Sequence, residues 1–290
     1  MKLYPECGPC MINRTLLFCR DADEETKYRV IKEICRIFGE NFSGDLTTTH
    51  MADLRNQAAE KMLKNKDPLK DLKDSSIEEA EKACPALETY LMSIPGEKHR
   101  FVAALKIALA GNTVEFGSEN HRPDLKKLKE EILEVVKEPL AIDDTDRIYE
   151  KAKNAKLILY ATDNSGELVF DRLFIKELLE YSKVIVSPLT VPVQDDASLE
   201  EIRKTRIDKM AEILPRSDSI GVWFERCTPE FIKKWEEADL IIAKGMGCYE
   251  TLSEYPEKTK GKVALLMKAK CGPVARDIGV PLGSAVAKLI

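Results

Sequence analysis

The hydrophobic periodicity of the sequence changes near residue 144, and this change constrains the fold more than any other feature. Beyond that point, short apolar runs occur at residues 157–161, 183–189, 240–245 and 263–270. Stretches with helical spacing separate these runs, at residues 167–181, 196–210 and 228–238. Alternating strands and helices are typical of a parallel sheet that helices cover on both faces. The sequence therefore predicts an α/β fold, with a doubly wound parallel sheet over residues 145–290.

The first 144 residues follow a helical pattern almost throughout. The segment "EETKYRVIKEICRIF" (residues 24–38) repeats apolar residues at steps of three and four, which predicts one apolar face formed by Tyr28, Ile31, Ile34, Cys35 and Phe38. No strand is expected here. We therefore predict an all-helical region over residues 1–144, which could comprise two sub-bundles.

Composition and charge exclude several classes of function. The 290 residues carry a net charge of -5, which argues against a broad basic face for nucleic acid. No apolar run approaches the roughly 18 residues of a membrane span, and "MKLYPECGPC" lacks the apolar core of an export signal. Eight cysteines without such a signal favour a reducing compartment over a disulfide framework. We expect a cytoplasmic protein without nucleic-acid or membrane partners, whose oligomeric state the sequence does not reveal.

Polar side chains follow each of the four predicted strands. Asp163 and Asn164 follow the first, Asp195 and Asp196 come after the second, and lysines end the third and fourth, at Lys244 and at residues 268 and 270. Because the carboxyl ends of parallel strands meet at one edge of a sheet, these side chains should converge. A single acidic residue at such a junction can simply cap the next helix. Polar residues at the ends of all four strands are therefore stronger evidence for a functional site than any one of them.

The residue types at this edge suit a metal ion and a phosphate. Two aspartates and an asparagine amide oxygen are hard oxygen ligands of the kind that Mg²⁺ and Mn²⁺ prefer. Lysines beside such a metal can neutralise the oxygens of a phosphate. Glu167, at the start of the next helix, could orient a water molecule or simply cap that helix.

Several motifs together resemble one known family. "DNSGE" (163–167), "VQDDAS" (193–198), "KGMGCYETL" (244–252) and "KAKCGPVA" (268–275) resemble the metal-dependent damage-control phosphatases, also called domain of unknown function 89 or acidic-residue-methyltransferase-like proteins. "CGPC" (7–10) and "ALAGNTVEFG" (108–117) are similar to the prokaryotic branch that carries cysteines. The resemblance covers nearly the whole chain.

The resemblance implies a helical part, a Rossmann-like metal-binding part, and hydrolysis of phosphate from small phosphometabolites such as sugar phosphates. The family's metal ligands fall on Asp163, Asn164 and Asp196, and its phosphate-contacting lysine on Lys270. Its "GN" segment falls on Gly111 and Asn112, so Asn112 is expected to bind the substrate from the helical half. The expected cofactor is Mn²⁺, Mg²⁺, Co²⁺ or Ni²⁺, and Lys244 is a second candidate for contact with the phosphate. The attacking group is either a water molecule or the Asp163 carboxylate.

Two positions depart from the family pattern, and one motif invites another interpretation. Glu115 replaces the usual aspartate of "GNxxD" and Cys248 the usual asparagine of "KGxGN", which bears on the choice of substrate. "CGPC" is also the redox sequence of thioredoxin, but only six residues precede it and a helical pattern follows. By analogy with the family, Cys7 and Cys10 could instead share a soft-metal site with Cys271; buried structural thiols are the simpler interpretation.

Two alternative functions remain open at this point. A carboxyl methyltransferase that uses S-adenosylmethionine would need a glycine-rich loop after the first strand, whereas "DNSGE" contains one glycine and two hard-ligand side chains. A non-catalytic protein that binds a phosphometabolite would use the same ligands as a phosphatase. Assays of phosphate release with added metals would distinguish the three.

Overall fold

The computed structural model describes residues 1–111 and 125–290. Within these ranges the first 137 residues form only helices apart from one isolated bridge, between Lys2 and Thr47. These helices are α1 (Cys7–Phe18), α2 (Glu24–Asn41), α3 (Thr48–Leu63), α4 (Lys70–Ser93), α5 (Glu97–Gly111) and α6 (Leu125–Lys137). The later helices are α7 (Thr145–Asn154), α8 (Leu168–Leu179), α9 (Leu199–Lys204), α10 (Pro229–Glu237), α11 (Gly245–Leu252), α12 (Pro256–Thr259) and α13 (Gly272–Ile278). No described helix is long and apolar enough to cross a membrane.

The second part of the chain forms a mostly parallel sheet, which confirms the predicted α/β fold. Its strands are β1 (Ile142–Asp143), β2 (Leu157–Ala161), β3 (Lys183–Ser187), β4 (Glu212–Ile213), β5 (Leu240–Lys244), β6 (Val263–Lys268) and β7 (Ala285–Leu289). Their order in the sheet is β1-β7-β6-β5-β2-β3-β4. Among the strands that the structure describes, the β6–β7 pair is antiparallel and the other neighbouring pairs are parallel.

The strand order contains a topological switch point between β2 and β5. From β2 the chain winds outward through β3 to β4, then returns to β5 on the other side of β2 and winds the opposite way through β6. At such a point the connections after the two central strands leave in opposite directions and open a crevice at the carboxyl edge, where open α/β sheets bind ligands. The residues that follow β2 and β5 therefore border the crevice.

The central strands are apolar on both faces because helices cover both. In β2, Ile158 and Tyr160 pack in the core beneath α4, α5 and α8, while Leu159 and Ala161 pack in a second core with α10, α11 and α13. Side chains of a strand alternate between faces, so a strand buried on both sides reads as a continuous apolar run. This is why the four longest parallel strands could be recognised from sequence.

The N-terminal helices divide between two cores. Helices α1–α3 enclose a core of their own, around residues such as Val30, Ile34 and Met51. Helices α4–α6 instead contribute to the core on one face of the sheet, where Phe101 of α5 and Phe174 of α8 are both fully buried. The domain boundary near residue 144 remains a prediction, although α4–α6 share their core with the sheet.

Some local expectations were wrong. On α2 the buried residues are Val30, Ile34 and Phe38, whereas Tyr28 is 76% exposed and Cys35 is exposed. The sheet also contains three strands that the sequence did not predict. Two of them, β1 and β4, have only two residues each, and β7 is an edge-side strand with partly exposed positions.

The aromatic contact of Phe101 yields a test of the shared core. Its ring lies 5.1 Å from those of both Tyr149 and Phe174, edge to face. We expect Phe101→Ala to lower the free energy of unfolding by about 3–5 kcal/mol, because a buried aromatic ring is replaced by a cavity. Urea denaturation will measure it. Tyr28→Ala, at an exposed helical position, should change stability by less than about 0.5 kcal/mol, and a similar small effect of Phe101→Ala would contradict the assigned core.

Candidate active site

Backbone hydrogen bonds tie the loop after β2 to the loop after β3. The Ala197 amide donates to the Asp163 carbonyl at 2.8 Å, and the Ser165 amide donates to the Asp195 carbonyl at 2.9 Å. An isolated antiparallel bridge pairs Asn164 with Asp196 between these bonds. Two residues far apart in sequence, Asp163 and Asp196, are thereby brought to one place, as the rule for parallel strand ends predicts.

The two aspartate side chains are nearly buried and repel each other. Asp163 is 9% exposed and Asp196 is 6% exposed. Burial raises the pKa of Asp163 well above its ordinary range, and the charges of Glu167 and Asp196 raise it further. Burial, together with the neighbouring Asp195, raises the pKa of Asp196 to about 7. Without a bound cation, this site therefore disfavours the charged form of its own carboxylates.

The donor set at this point fits a divalent cation. The Oδ2 atom of Asp196 is buried and has no hydrogen-bond partner among the residues that the structure describes. The Asn164 amide donates to Glu167 at 2.7 Å and to Asp163 at 3.3 Å, which uses both amide hydrogens and leaves its oxygen for a ligand. Across residues 1–111 and 125–290, no three His, Cys, Asp or Glu side chains are grouped to hold a metal. Mg²⁺-type sites often use only one or two carboxylates and complete their shell with water and substrate phosphate.

Gly245 makes room for the Asp163 side chain. It begins α11, immediately after β5, with a φ of 77°. A β-carbon added at this position would overlap the Asp163 carboxylate. Glycine is needed here both for the left-handed backbone and for the close approach of β5 to the end of β2.

A buried ionic network supports Asn164 from below. Lys244 donates to Glu167 at 2.9 Å, to Asp171 at 2.7 Å and to the Ala108 carbonyl at 2.7 Å. Burial alone would lower the pKa of Lys244, but the two carboxylates outweigh it and raise the pKa. The Tyr160 hydroxyl also donates to Asp171, at 2.7 Å. Lys244 and Asp171 are fully buried, so the network joins α5, α8 and β5.

This geometry disagrees with the role expected for Lys244. Its ammonium group has three hydrogens, and three protein acceptors within the fold receive them. We therefore withdraw Lys244 as a substrate-binding residue; it holds Glu167 instead. Glu167 precedes α8 without capping it through its side chain, and its carboxylate is buried. It accepts hydrogen bonds from Asn164 and Lys244, and the orientation of a water molecule by Glu167 remains a prediction.

The carboxyl edge of the sheet opens into a cleft of about 170 Å³. Asp163, Asn164 and Asp196 lie on its sheet side, together with Lys270, which follows β6. The opposite wall of the cleft is formed by six residues of α1 and α3, namely Met11, Arg14, Thr48, Thr49, Ala52 and Arg55. None of the six was predicted as a site residue. Glu250 of α11 also lines the cleft, and burial raises its pKa to about 7.

Arg14 joins this helical wall to the sheet side. It forms an ion pair with Asp195 at 2.5 Å. Burial opposes ionisation of Asp195, but the Arg14 charge and a backbone hydrogen bond outweigh it and lower the pKa of that carboxyl. Sequence reasoning missed Arg14 because an arginine on an amphipathic helix looks like a surface residue. The "CGPC" motif four residues earlier was the only signal near it.

The remaining predicted site residues have different outcomes. Asn112 and Glu115 lie outside the described residues. Cys7 is buried and Cys10 is exposed, and α1 begins at Cys7 without a preceding strand. Burial raises the pKa of Cys7, and burial, with smaller contributions from Glu250, Cys7 and Cys10, raises the pKa of Cys271 to about 11. No three-ligand metal group occurs among them in the described chain, and the soft-metal site remains a prediction.

The sequence and the structure are similar to those of known proteins along the whole chain. The damage-control phosphatase ARMT1-like domain matches residues 3–286. An uncharacterized protein of Methanocaldococcus jannaschii is 34% identical, over 99% of this chain and 95% of its own. A damage-control phosphatase of Archaeoglobus fulgidus is 32% identical, over 100% of this chain and 100% of its own. A damage-control phosphatase of Pyrococcus horikoshii is also 32% identical, over 99% of this chain and 97% of its own. A crystal structure of a DUF89 family protein from Pyrococcus horikoshii, 29% identical, superposes with a TM-score of 0.89 over 100% of this chain and 99% of that one.

The contact between Gly245 and Asp163 yields a stability prediction. Gly245→Ala should be destabilised by the left-handed backbone and by overlap with the carboxylate. Gly279→Ala is a matched control, since Gly279 has a φ of 80° and an added β-carbon would meet none of the described residues within 4 Å. We expect Gly245→Ala to lose about 1–3 kcal/mol more than Gly279→Ala in denaturant unfolding, because overpacking adds to the shared backbone cost.

A double-mutant cycle isolates this contact. In an Asp163→Ala background, the cost of Gly245→Ala should fall to that of Gly279→Ala, because the overlapping carboxylate is gone. Equal losses for the two glycine variants in the wild-type background would contradict the assigned contact.

Proposed function

Because this chain belongs to the damage-control phosphatase ARMT1-like family, we propose that it is a metal-dependent phosphatase that hydrolyses small phosphomonoesters. Membership of the family supports phosphatase-type chemistry, and the resemblance seen in the sequence is thereby confirmed. Metal dependence and the class of substrate are our proposal. One observation carries it: Asp163 and Asp196, two buried carboxylates, meet beside Lys270 in a cleft at the switch point of the sheet.

Asp163, Asn164 and Asp196 would hold one divalent cation, Mn²⁺, Mg²⁺, Co²⁺ or Ni²⁺. The unpartnered Oδ2 atom of Asp196 and the raised pKa values of both aspartates support this assignment. When bound, the cation would neutralise charge on the phosphate and polarise phosphorus for attack. Glu167 and Lys244 keep the Asn164 amide in its orientation from below.

The other residues of the cleft would bind the phosphate and direct its hydrolysis. The Lys270 ammonium would hold a non-bridging oxygen, which is supported by its position in the cleft and its charge close to Asp163. A new oxygen–phosphorus bond forms as the ester oxygen–phosphorus bond breaks, and the departing alcohol takes up a proton. If water attacks, the proton that it loses goes to the departing alcohol; if the Asp163 carboxylate attacks, the resulting aspartyl phosphate would then be hydrolysed by water, which supplies that proton. A cleft of about 170 Å³ suits a small phosphorylated metabolite rather than a polymer.

The free state of all eight cysteines supports a reducing compartment, so we propose a cytoplasmic location. Neither nucleic acid nor membrane is proposed as a partner.

Substitutions at the carboxylates test the metal site. Asp163→Ala and Asp196→Ala should lower phosphate release by at least about 1,000-fold and abolish metal binding, because each removes a ligand and charge at the reacting centre. Phosphate release from a panel of phosphomonoesters with each of the four metals, and titration calorimetry with the metal alone, will measure both effects. Asp146→Ala is the control, since Asp146 is a surface residue with a 75% exposed side chain.

Fold integrity can be checked independently. Without added metal, Asp163→Ala and Asp196→Ala should unfold at or above the wild-type temperature, because each variant relieves repulsion between buried carboxylates. Full activity in Asp196→Ala would contradict the assignment of Asp196 as a metal ligand.

Lys270→Ala should separate phosphate binding from metal binding. We expect kcat/KM to fall by about 100-fold while metal affinity stays within a few-fold of wild type, because the lysine contacts the phosphate and not the metal. Lys176→Ala, at a half-exposed lysine of α8, is the matched control. Loss of metal binding in Lys270→Ala would contradict this division of roles. The same panel tests the two alternative functions. If the wild type binds the phosphomonoesters but releases no phosphate from them with any metal, it is a binding protein. Transfer of a methyl group from S-adenosylmethionine would identify a methyltransferase.

A further inference from the structure

A buried arginine on the helical wall of the cleft lacks an acidic partner. Arg55 of α3 is 1% exposed and lines the cleft opposite the ends of the strands. Its guanidinium donates to the Asn56 side chain at 2.8 and 3.1 Å, and to the Met11 carbonyl at 3.4 Å. Within the described part of the chain it forms no ion pair with a carboxylate. All its hydrogen-bond partners are therefore neutral.

Such a charge is expensive to bury unless something neutralises it. Contact of the guanidinium with the Phe18 ring, at 5.1 Å, offsets a part of the cost. Burial and the neighbouring Arg14 charge nevertheless lower the pKa of Arg55 to about 9. A purely structural arginine in this position would be expected to have a carboxylate beside it. The missing charge is one that a ligand in the cleft can supply.

A second polar group on the same wall also lacks a partner. The Thr49 side chain lines the cleft, the residue is 2% exposed, and its Oγ1 atom has no hydrogen-bond partner among the described residues. Thr49 lies in the first turn of α3, which contains no acidic residue. The positive end of this 16-residue helix therefore lies at the cleft, close to Glu250.

Asp53 of α3 and Asp195 of the sheet side raise the pKa of Arg55 by their charge, but neither forms a hydrogen bond with it among the described residues. Asp195 is already paired with Arg14 at 2.5 Å. Burial raises the pKa of Glu250 to about 7, against a hydrogen bond with Thr48 that lowers it. The strand side of the cleft, by contrast, carries two clustered aspartates. The cleft thus has a metal-binding side and a separate anion-binding side.

We propose that Arg55 and Thr49 form a second anion subsite, and that the substrate is a small phosphomonoester bearing a further anionic group. This inference rests on the proposed phosphatase function and specifies its substrate. The phosphate that is hydrolysed lies toward Asp163, Asp196 and Lys270, and the second group, a carboxylate or another phosphate, accepts hydrogen bonds from Arg55 and Thr49. The cleft's small volume places both groups on a short carbon skeleton.

Matched pairs of substrates test the subsite. The first pair is 3-phosphoglycerate and glycerol 3-phosphate, which differ by a carboxylate in place of a hydroxymethyl group. The second pair is propane-1,3-diol bisphosphate and its monophosphate. In at least one pair, wild-type kcat/KM should be about 10-fold or more higher for the compound that carries the second anionic group, since a charge-assisted hydrogen bond contributes this much. Preference in the first pair identifies a carboxylate and in the second pair a phosphate.

Variants show which residues carry that preference. Arg55→Gln should reduce the ratio of kcat/KM within the preferred pair to about 1–2, and Arg55→Lys should retain a part of it. Thr49→Val should reduce the ratio about 3-fold or more, while Thr49→Ser, which keeps the hydroxyl, should preserve it. Arg36→Gln is the control, because Arg36 lies exposed on α2, where it pairs with Glu33 and Glu40 of the same helix. If Arg55→Gln does not fold, Arg55→Lys and Thr49→Val still decide the question.

The outcomes separate this inference from the proposed function. Equal kcat/KM within both pairs, or a ratio that Arg55 and Thr49 variants leave unchanged, overturns the subsite while the phosphatase stands. If the wild type hydrolyses none of the four compounds, titration calorimetry with 3-phosphoglycerate and propane-1,3-diol bisphosphate decides. Binding weakened about 10-fold in Arg55→Gln or Arg55→Lys supports the subsite. Unchanged or undetectable binding overturns it.

Discussion

The closeness of two buried carboxylates, Asp163 and Asp196, is the constraint on which the rest of the site depends. Burial is the main reason why the pKa values of both groups are raised, and nearby like charges add to it: Glu167 and Asp196 act on Asp163, and Asp195 acts on Asp196. The backbone nevertheless holds them together through two hydrogen bonds between the loops after β2 and β3. These bonds form whatever the side chains are, so the fold itself imposes the repulsion. A bound cation is what would turn this strained arrangement into a favourable one.

The buried network around Lys244 explains how the fold tolerates so much negative charge. Lys244 neutralises Glu167 and Asp171 beneath the site and also ties the end of α5 to β5 through Ala108. A buried ionic network of this kind seldom stabilises a protein more than an apolar core of the same volume would. Its usefulness here is positional, because it fixes Glu167 and, through Glu167, the Asn164 amide. The lysine at the end of β5 thus organises the site without lining the cleft.

The strand side of the site could be predicted from sequence because two general rules sufficed. Apolar runs mark strands buried on both faces, and parallel strands end on the same edge, which is how Asp163, Asp196 and Lys270 could be grouped. The same rules could not distinguish Lys270 from Lys244, since both end a strand. What separates them is depth: β5 is central and its last residue is fully buried, whereas Lys270 follows β6 by two residues. Depth depends on helices packed from elsewhere, which local sequence does not encode.

The helical side could not be predicted for a related reason. Arg55 and Thr49 occupy an ordinary amphipathic pattern, and only the packing of α3 against the cleft gives them a role. The same limitation misassigned α2, where Tyr28 and Cys35 fit the apolar periodicity but face solvent. Helical periodicity predicts that one face of a helix is buried. Where the apolar face is wide, the pattern does not determine which of its residues lie at the centre of the buried surface. Short or half-exposed strands such as β1, β4 and β7 lack a strong pattern altogether.

The two sides of the cleft are fixed by different means, and this difference bears on how the molecule works. The strand side is held by backbone hydrogen bonds and by Gly245, neither of which depends on the chemistry of a substrate. The helical side is attached by side chains: Asp53 of α3 accepts a hydrogen bond from Ser219 at 3.0 Å, and Arg14 pairs with Asp195. Substitutions on α1 and α3 can therefore reshape that wall while the carboxylate pair stays in place. In the proposed phosphatase, a fold built in this way would keep the phosphate chemistry constant and let the helical wall determine which phosphorylated molecule is accepted.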